Sequence, residues 1–479
     1  MVNDKKNDFD VIIIGAGISG LVCGCYLAKE GKNVLIAEQH HSPGGYCSSF
    51  VRSGYVFDSA AHFLGGVKKG ILAVILKELG INIKDLFVQF DPSDKLLLKK
   101  NIVYIRSDSI KTQDELKRVF PEQSRNIEKF FEFVLQPNTV AIYRKTHKAN
   151  FQSVLNSFFK DSQLKVSLGV FMLGNMGLPP SKISAFAAII FLREFLLDPG
   201  YYPQGGIQKF TNLLVEKFKS LNGKMILSSQ VKRIITKSTM AQGIVLDSGE
   251  SFSAKIIVSG IDATHLFRKI LDVKTKEADI VKKLKESVSY FAIYLGIREK
   301  IENIFGESCN IWDFPHNDLD KIYNDLIVNT RKMTIPCLVF SFSPGKMNSF
   351  SNKINNTAQI FSMASYESEE FWKKNKMIYA NKILKRAYKL FPNLKKNIDI
   401  MEIATPVTFN KYTINKNGSA FGWESSVDQI ANRKLDNQTS IKNLFLIGHW
   451  VITGAGQGGI STVALSGRKV AKRIVKVLT

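Results

Sequence analysis

The chain has 479 residues, too many for one ordinary hydrophobic core, so two domains or one large interrupted domain are expected. A hydrophobic fraction of 45% and a charged fraction of 23% exclude a disordered chain and are typical of a soluble globular protein. The formal net charge of +24 suits an anionic surface such as a membrane, or else reflects a solvated basic surface. Because the basic residues are dispersed and no nucleic-acid-binding motif is found, a nucleic-acid partner is excluded.

The five cysteines and the first residues indicate a cytoplasmic protein. The cysteine number is odd and the spacing is irregular, which does not fit a disulfide framework and predicts a reducing compartment. No pair of cysteines or histidines has metal-ligand spacing, so we expect no metal. The polar residues 1–10 precede an apolar run that glycines interrupt, which excludes a signal peptide. No apolar stretch reaches the about 18 residues of a membrane-spanning helix.

The first predicted element is a strand over Phe9–Ile14, a short β-branched run of the kind that is buried in a parallel sheet. It is followed by the glycine pattern GAGISG, residues 15–20. In this pattern Gly15 permits a tight turn, Gly17 lets a diphosphate approach the backbone, and Gly20 lets the next helix pack close to the strand. The pattern predicts a dinucleotide site, although a glycine turn with only a structural role has the same letters.

A helix and a second strand complete this predicted unit. Apolar residues recur at helical spacing until Gly31 ends the helix, and Asn33–Ala37 follows as the next strand. Glu38 ends that strand 18 residues beyond Gly20, where its carboxylate can accept hydrogen bonds from both hydroxyls of an adenosine ribose. Strand, helix, strand and terminal acid in this order indicate a Rossmann-like fold around a dinucleotide.

A second glycine pair, Gly44-Gly45, follows after the unit that a nicotinamide-binding site needs is complete. Flavoproteins of the phytoene desaturase and amine oxidase superfamily continue with such a pair, whose backbone lies near the cofactor diphosphate. The segment EQHHSPGGYCSSFVRSGYVFDSAAHFLGG resembles the carotenoid isomerase and retinol saturase branch of that superfamily. The resemblance rests on Glu38-Gln39-His40, the glycine pair, Phe57-Asp58 and Ala61-His62. Many relatives in the superfamily carry Arg after the pair, where this chain has Tyr46.

Later segments carry the same resemblance. The segment YYPQGGIQKFTNLL begins at Tyr201. It resembles the motif with which proteins of this branch begin the helix that returns the chain to the cofactor domain. The following segment is predicted to form strands and turns. In the branch the backbone at the position of Val231 faces the adenine, and Ile256–Gly260 adds a strand to the sheet. TPVTFNKYTINKNGSAFGWE, residues 405–424, also resembles the branch.

The C-terminal segment NLFLIGHWVITGAGQGGISTVALSGRKVAKRIV is predicted to be a strand, a glycine-rich loop and a helix. Gly454, Gly456 and Gly459 form a second GxGxxG. However, the strand before it ends too early, and neither a second strand nor an acidic residue for a ribose follows the helix. A separate nicotinamide site is therefore excluded. The resemblance implies instead that the N-terminus of this helix points at the flavin. His449 replaces the small or acidic residue of most relatives. Since no cysteine follows Cys337, attachment of FAD through a C-terminal cysteine is excluded.

The resemblance and the glycine fingerprint together imply one non-covalently bound FAD. His62 is the candidate catalytic residue, as a proton donor beside the flavin, with a purely structural histidine as the alternative. The residues expected to contact the cofactor are Gly15, Ala16, Gly17, Ile18, Ser19, Gly20, Glu38, Gln39, Gly44, Gly45, Tyr46, His62, Val231, Gly448, His449, Gly459, Ile460 and Ser461.

We therefore expect an α/β fold in which a Rossmann-like FAD-binding domain of the amine oxidase and phytoene desaturase type is interleaved with an α+β substrate domain. The FAD-binding domain is predicted to be discontinuous and to comprise residues 1–100, 200–285 and 430–479. The substrate domain is predicted to comprise residues 101–199 and 286–429.

The apolar segment VSLGVFMLGNMGLPPSKISAFAAIIFLREFLL, residues 166–197, is predicted to form two helices around Gly177-Leu178-Pro179-Pro180. Each helix is too short to cross a bilayer. One hypothesis is that they dip into one leaflet, helped by the basic surface, which would make the protein peripheral on the cytoplasmic membrane face. The alternative is that both helices line a lipid-sized cavity or the core.

The predicted function is that of an FAD-dependent oxidoreductase or isomerase acting on carbon–carbon double bonds of a long apolar polyene or isoprenoid lipid. The flavin carries the chemistry, which fits a sequence with no Ser-His-Asp arrangement and no paired carboxylates. Saturation, desaturation and cis–trans isomerisation stay open, as does the electron partner. One alternative is a flavin amine oxidase, for which Tyr412 and Trp423 would have to form an aromatic cage. Another is a membrane-docked protein with only structural FAD.

Overall fold

The computed structural model describes residues 8–61, 63–343, 356–432, 435–451 and 459–478. The strands of these residues are β1 (Phe9–Ile14), β2 (Val34–Ala37), β3 (Ser49–Arg52), β4 (Tyr55–Asp58), β5 (Phe87–Gln89), β6 (Asp94–Leu98), β7 (Ile102–Ile105), β8 (Tyr201–Pro203), β9 (Lys224–Ile226), β10 (Val231–Lys237), β11 (Met240–Leu246), β12 (Ser251–Ser259), β13 (Ser289–Ile297), β14 (Asn310–Phe314), β15 (Leu338–Ser343), β16 (Asn356–Ala364), β17 (Ile398–Ala404) and β18 (Leu444–Leu446). The α-helices of these residues are α1 (Ile18–Lys29), α2 (Ile71–Glu78), α3 (Ser109–Val119), α4 (Ser124–Leu135), α5 (Thr139–Thr146), α6 (Phe151–Phe158), α7 (Ser162–Met176), α8 (Ala185–Leu197), α9 (Ile207–Ser220), α10 (Ala263–His265), α11 (Lys276–Lys283), α12 (Ile301–Phe305), α13 (Leu319–Tyr323), α14 (Glu369–Leu390), α15 (Leu394–Asn397), α16 (Pro406–Thr413), α17 (Val427–Asn432) and α18 (Ile460–Leu478).

The first sheet has the order β10-β11-β12-β1-β2-β9, with β18 also paired to β12. Its centre is parallel, because β1 pairs in parallel with both β2 and β12, and β18 runs parallel to β12. The apolar residues of β1 are covered on both faces, and α1, α2, α9 and α18 pack together against one of them. This is the predicted α/β arrangement, and it brings the carboxyl ends of β1, β2, β12 and β18 to one edge.

The second sheet has the order β17-β13-β16-β15-β14-β6-β7 and is antiparallel except where β14 pairs with β6. Side chains alternate between its two faces, as the period of a strand requires. Phe291 and Ile293 of β13 pack against α14, whereas Tyr290 and Tyr294 line a cavity on the opposite face. The sheet therefore forms one wall of that cavity.

The strand pairing moves one predicted boundary. The sequence analysis placed the end of the first cofactor-domain segment at residue 100, but β6 and β7 form a hairpin that belongs to the second sheet. Its residues pair with β14 rather than with the first sheet, so the second sheet begins at Asp94. In other respects the division of the chain into two domains stays a prediction.

The apolar segment 166–197 forms the two predicted helices, α7 and α8, on either side of the proline turn. Apolar side chains of both helices are buried in the protein, among them Phe171 and Leu173 of α7 and Ile189 and Leu192 of α8. The structure therefore does not bear out the hypothesis that residues 166–197 dip into a leaflet, because protein already covers their apolar surface. It fits the alternative that they form core and cavity wall. None of the described helices combines the length and apolar character that crossing a bilayer requires.

Candidate active site

A large cavity of about 1050 Å³ lies between the two sheets. One end is lined by the loops that follow β1, β2, β12 and β18, and the other by β13, β14, β15, β16, α7 and α8. In open α/β sheets ligands bind at the carboxyl ends of the strands, because the loops there and the helix N-termini can face them. The position of the cavity is the one that the fold predicts for a dinucleotide.

The geometry of the first glycine loop fits the three roles that the sequence predicts. Gly15 has φ +98°, a conformation that favours glycine. A Cβ on Gly20 would lie 2.1 Å from the carbonyl oxygen of Gly15, so glycine is needed for the close approach of helix and loop. A Cβ on Gly17, in contrast, would meet no described atom within 4 Å. The space in front of Gly17 lies in the cavity and is open to a ligand.

The start of α1 adds donors to this loop. The helix begins at Ile18 with Gly17 as its N-cap and without a side-chain cap. The first backbone N–H groups of an α-helix have no partner within the helix, and the helix dipole favours negative charge there. Gly17, Ile18 and Ser19 line the cavity, so this end of α1 is suited to a diphosphate.

Glu38 lies at the end of β2 and lines the same part of the cavity. Its carboxylate is buried, with 8% of the residue exposed, and it accepts hydrogen bonds from the backbone N–H of Ala16 at 2.7 Å and of His40 at 3.0 Å. A carboxylate has about four acceptor positions, so these two bonds fix its orientation and leave positions for ribose hydroxyls. The predicted role of Glu38 fits this geometry.

The second glycine pair packs directly against the first glycine loop. The backbone N–H of Gly44 donates to the carbonyl oxygen of Ala16 at 2.9 Å. Gly44 has φ +127° and Gly45 has φ +58°, and a Cβ on Gly45 would lie 3.7 Å from the Cα of Gly17. The two loops thus form adjoining walls where the diphosphate is expected. This arrangement explains why two further glycines follow Glu38.

Tyr46, which stands where many relatives in the superfamily have Arg, reaches from this loop to the other half of the molecule. Its hydroxyl donates to the carbonyl oxygen of Ser419 at 2.8 Å and accepts from Asn415 Nδ2 at 3.4 Å. Burial raises the pKa of Tyr46, so the phenol stays neutral. Gln39 makes a similar contact, since its Nε2 donates to the carbonyl oxygen of Tyr412 at 3.3 Å. Both residues line the cavity and connect its two sides.

The C-terminal helix brings its first turn to the cavity, as predicted. It is held against α1, where a Cβ on Gly467 would lie 2.3 Å from the carbonyl oxygen of Ser19. Ser461 Oγ donates to the carbonyl oxygen of Gly65 at 3.4 Å. The predicted contact residues that line the cavity here are Val231 of β10 and, near the C-terminus, Gly448, His449, Gly459, Ile460 and Ser461. Gly454 and Gly456 lie outside the described residues.

His449 lies at the cavity between Tyr46 and Trp450, with its ring 6.3 Å from the ring of Tyr46. Desolvation lowers the pKa of His449 to about 4, so the imidazole is neutral at pH 7. It can therefore donate one hydrogen bond to a cofactor or substrate without carrying charge. His62, the candidate catalytic residue, lies outside the described residues, and its role stays a prediction. Its neighbours Ala61 and Phe63 line the cavity.

The other end of the cavity is mostly apolar, and sequence reasoning missed its residues. Phe361, Val339 and Trp312 lie side by side in register across β16, β15 and β14. Tyr290 OH donates to the carbonyl oxygen of Gly174 at 2.6 Å, and Tyr294 OH donates to that of Ser59. Because their polar atoms are bonded to the protein, these side chains present aromatic surface to the cavity.

Tyr412 and Trp423 do not form an aromatic cage. Trp423 is fully buried and donates from Nε1 to the carbonyl oxygen of Trp450 at 2.8 Å. Tyr412 is 58% exposed, and its ring contacts that of His40, two residues after Glu38. The two rings therefore do not face each other across a substrate position, as an amine oxidase cage would require.

These residues fit FAD. The open space before Gly17, the fixed carboxylate of Glu38 and the second glycine pair suit a diphosphate and a ribose at one end. The aromatic and apolar walls suit a flat ring and an apolar partner at the other. The five cysteines are buried and unpaired.

Comparisons with known proteins agree with this geometry. The profile of a family described as flavin containing amine oxidoreductase matches residues 18–475. The all-trans-retinol 13,14-reductase of Danio rerio is 23% identical over 97% of this chain and 86% of its own length. The chloroplastic prolycopene isomerase of Daucus carota is 25% identical over 98% of this chain and 80% of its own length. Among solved structures, an oxidoreductase from Methanosarcina mazei has a TM-score of 0.68 at 18% identity, covering 96% of this chain and 99% of that chain.

Proposed function

Since this chain belongs to the flavin-containing amine oxidoreductase family and is an FAD-dependent oxidoreductase, we propose that it acts on carbon–carbon double bonds of a long apolar molecule. A polyene or isoprenoid lipid is the substrate class that the cavity fits best. The observation that carries the proposal is the apolar row of Phe361, Val339 and Trp312 on the wall opposite the glycine loops. Relatives named for retinol reduction and prolycopene isomerisation support the same class.

When bound, FAD supplies hydride exchange with a carbon atom of the substrate. The chain holds the cofactor through the two glycine loops and Glu38. Tyr290, Tyr294 and Trp312 orient the apolar chain, and the buried walls exclude water. The N-terminus of α18 at the cavity favours negative charge, and the neutral imidazole of His449 donates without adding charge. His62 is proposed as the proton donor in a saturation reaction.

The net charge of +24 supports a transient visit to an anionic membrane surface, where such a substrate would be collected. The protein would then be cytoplasmic and peripheral, without insertion of α7 and α8. Flavin amine oxidation is the second candidate, but the separation of Tyr412 and Trp423 argues against it.

The test is anaerobic photoreduction of the FAD-loaded protein, followed by mixing with a polyene in the dark. We expect reoxidation of the flavin that depends on polyene concentration, with a product one double bond poorer. If the flavin stays reduced and only the double-bond geometry of the polyene changes, the reaction is an isomerisation. With FAD fully bound, the absence of both polyene-dependent flavin reoxidation and any change in the double bonds of the polyene would contradict the proposal and leave a structural FAD.

A further inference from the structure

The cavity is bounded differently at its two ends along the second sheet. Its lining residues on that side come from the neighbouring strands β17, β13, β16, β15 and β14. In this order of strands they include Ala404, Tyr290, Phe361, Val339 and Trp312. The two ends of this wall are therefore β17 and β14, which lie four strand spacings, about 19 Å, apart.

The β17 end of the wall is open to solvent. Glu402 of β17 pairs with Arg52 of the β3–β4 hairpin, Nε to Oε1, at 3.7 Å, and 42% and 50% of the two side chains are exposed. Val51, which precedes Arg52, is 57% exposed. All three residues line the cavity, so they form a rim through which a ligand can enter.

The β14 end of the wall is closed. Val339 and Gly174 of α7 line the cavity there, and the indole ring of Trp312 fills the space between the sheet and α7. A Cβ on Gly174 would lie 2.2 Å from Cζ3 of that ring, so the ring abuts the helix backbone. Trp312 Nε1 donates to Asp94 Oδ1 at 2.8 Å, which fixes the orientation of the ring.

The residues beyond the indole ring belong to the core. Phe171, which precedes Gly174 by three residues on α7, packs edge-on against Trp312 with the ring centres 5.1 Å apart. Phe314, two residues further along β14, lies 6.3 Å from the same ring. Leu96, opposite Trp312 on β6, is fully buried. Because none of these three lines the cavity, a chain that enters at the rim has to stop at the β14 end.

The length of the wall limits how much of a chain fits inside. An extended chain advances about 1.2 Å per bond, since a residue of extended backbone spans three bonds in about 3.5 Å. A wall of about 19 Å therefore accommodates about sixteen chain atoms, which correspond to about four isoprene units. The remainder of a longer molecule would extend past the rim.

Resting on the proposed function, we infer that the wall of Val339, Gly174 and Trp312 is a stop for the end of the substrate chain and thereby determines which double bond reacts. The proposed function places one FAD in the cavity, so the reacting position is fixed relative to this wall. The double bond that reacts then lies a fixed number of bonds from the buried chain end. Val339 and Trp312 are thus specificity-determining residues for the position of the reaction.

The test uses two all-trans polyenes with identical acyclic end groups, lycopene with forty carbons and its thirty-carbon analogue. NMR of the products identifies the double bond that the FAD-loaded protein changes. We expect the same bond in both molecules when the bonds are counted from the chain end, since only the part outside the rim differs. A position counted from the centre of the molecule would overturn the inference.

Two substitutions should move the reacting position in opposite directions. Val339→Phe adds volume at the closed end, so the chain enters less deeply and a double bond nearer to the buried end reacts. Trp312→Leu sets the wall back, so a double bond at least one position further from the buried end reacts, a displacement of about 2.5 Å or two bonds. Val339→Phe keeps the test valid if Trp312→Leu does not fold, because it leaves the indole ring in place.

Trp372→Leu is the matched control for Trp312→Leu. Trp372 is as buried as Trp312, with 1% exposed, but it packs against Phe291 on the α14 face of the same sheet and does not line the cavity. It should leave the reacting position unchanged.

A diazirine at one chain end of the thirty-carbon polyene gives a second readout that needs no turnover. Photolysis of its complex with the FAD-loaded protein should label Val339, Gly174 or Trp312. Labelling confined to the rim, an equal shift of position in Trp372→Leu, or no shift in either folded cavity variant would overturn the inference and leave the proposed function standing. If neither polyene binds or reacts, the proposed function fails together with the inference.

Discussion

Gly17 and Gly20 belong to one loop, yet they are glycines for different reasons. A Cβ on Gly17 would enter open cavity, whereas a Cβ on Gly20 would overlap the carbonyl oxygen of Gly15 at 2.1 Å. We therefore expect Gly17→Val to fold normally but to bind FAD at least about tenfold more weakly, as overpacking of a ligand site would cause. Equilibrium titration with FAD and urea unfolding measure the two properties.

Gly20→Ala is the paired variant, and it should lower the free energy of unfolding by about 1–3 kcal/mol even without cofactor. If Gly17→Val destabilised the cofactor-free protein as much as Gly20→Ala does, the space before Gly17 would not be a ligand site.

His449 gives the cofactor-free protein a specific pH dependence. Desolvation lowers its pKa from about 6.5 to about 4, so between these values the unfolded chain binds a proton that the folded chain does not. The stabilising effect of the neutral imidazole is complete above about pH 6.5 and is lost as the pH falls towards 4. Relative to pH 7.5, this amounts to about 2 kcal/mol at pH 5.

His449→Asn should remove this contribution. The comparison of urea unfolding for the unchanged protein and the variant at both pH values isolates it from the other titrating groups. An identical loss of stability in the two proteins would show that desolvation does not lower the pKa of His449 in the folded chain.

At the residue scale the sequence was most informative where one conformation or one chemistry is required. The turn at Gly15 and the close approach at Gly20 could be predicted because each requires glycine. The binding of a diphosphate at Gly17 and of a ribose at Glu38 stays a prediction that the geometry fits. Trp312 of the apolar wall could not be found in this way. Alternation along β14 places it on one face of a strand, but only the tertiary structure shows that this face lines the cavity.

At the scale of elements, α18 is the part of the site that depends most on packing. Gly467 allows it to lie against α1, since a Cβ there would be 2.3 Å from the carbonyl oxygen of Ser19. We expect Gly467→Val to displace the helix, to cost about 1–3 kcal/mol of unfolding free energy, and to weaken FAD binding. Lys469→Val, on the exposed side of the same helix, is the control. Equal FAD affinity in both variants would mean that α18 does not contribute to the site.

The helices α7 and α8 show what hydrophobicity alone leaves open. Their existence and their separation by a proline turn followed from the sequence, and the structure has them at the expected positions. Whether protein or lipid covers apolar side chains depends on the neighbours in space. Here Phe171 packs against Trp312, a residue far along the chain, so no local pattern could have assigned the contact.

At the scale of the whole molecule, Asp58 joins segments that are distant in sequence. Its buried carboxylate accepts from Ser49 Oγ at 2.8 Å, Tyr202 OH at 2.6 Å, the backbone N–H of Ile207 at 3.1 Å and Ser343 Oγ at 3.1 Å. Burial raises the pKa of Asp58, and these four donors oppose that shift. The residue thereby ties the cofactor half to the second sheet.

Asp58→Asn should lower the free energy of unfolding by about 1–3 kcal/mol, because an amide NH₂ cannot accept from the donors that remain. Asp279→Asn is the control, since Asp279 is exposed and pairs with Lys282 three residues along the same helix. Urea unfolding measures both variants. A similar small effect in the two would contradict the joining role of Asp58.

The central claim is that distant parts of the chain, the two glycine loops and the tail helix, bind a single FAD. Calorimetric titration of the cofactor-free protein with FAD, and separately with NADH, tests it most directly, with Gly17→Val and Gly467→Val measured alongside. We predict one FAD bound per chain, no competing NADH site, and weaker FAD binding in both variants. Binding of NADH in place of FAD, or FAD binding that is unaffected by Gly467→Val, would contradict the account.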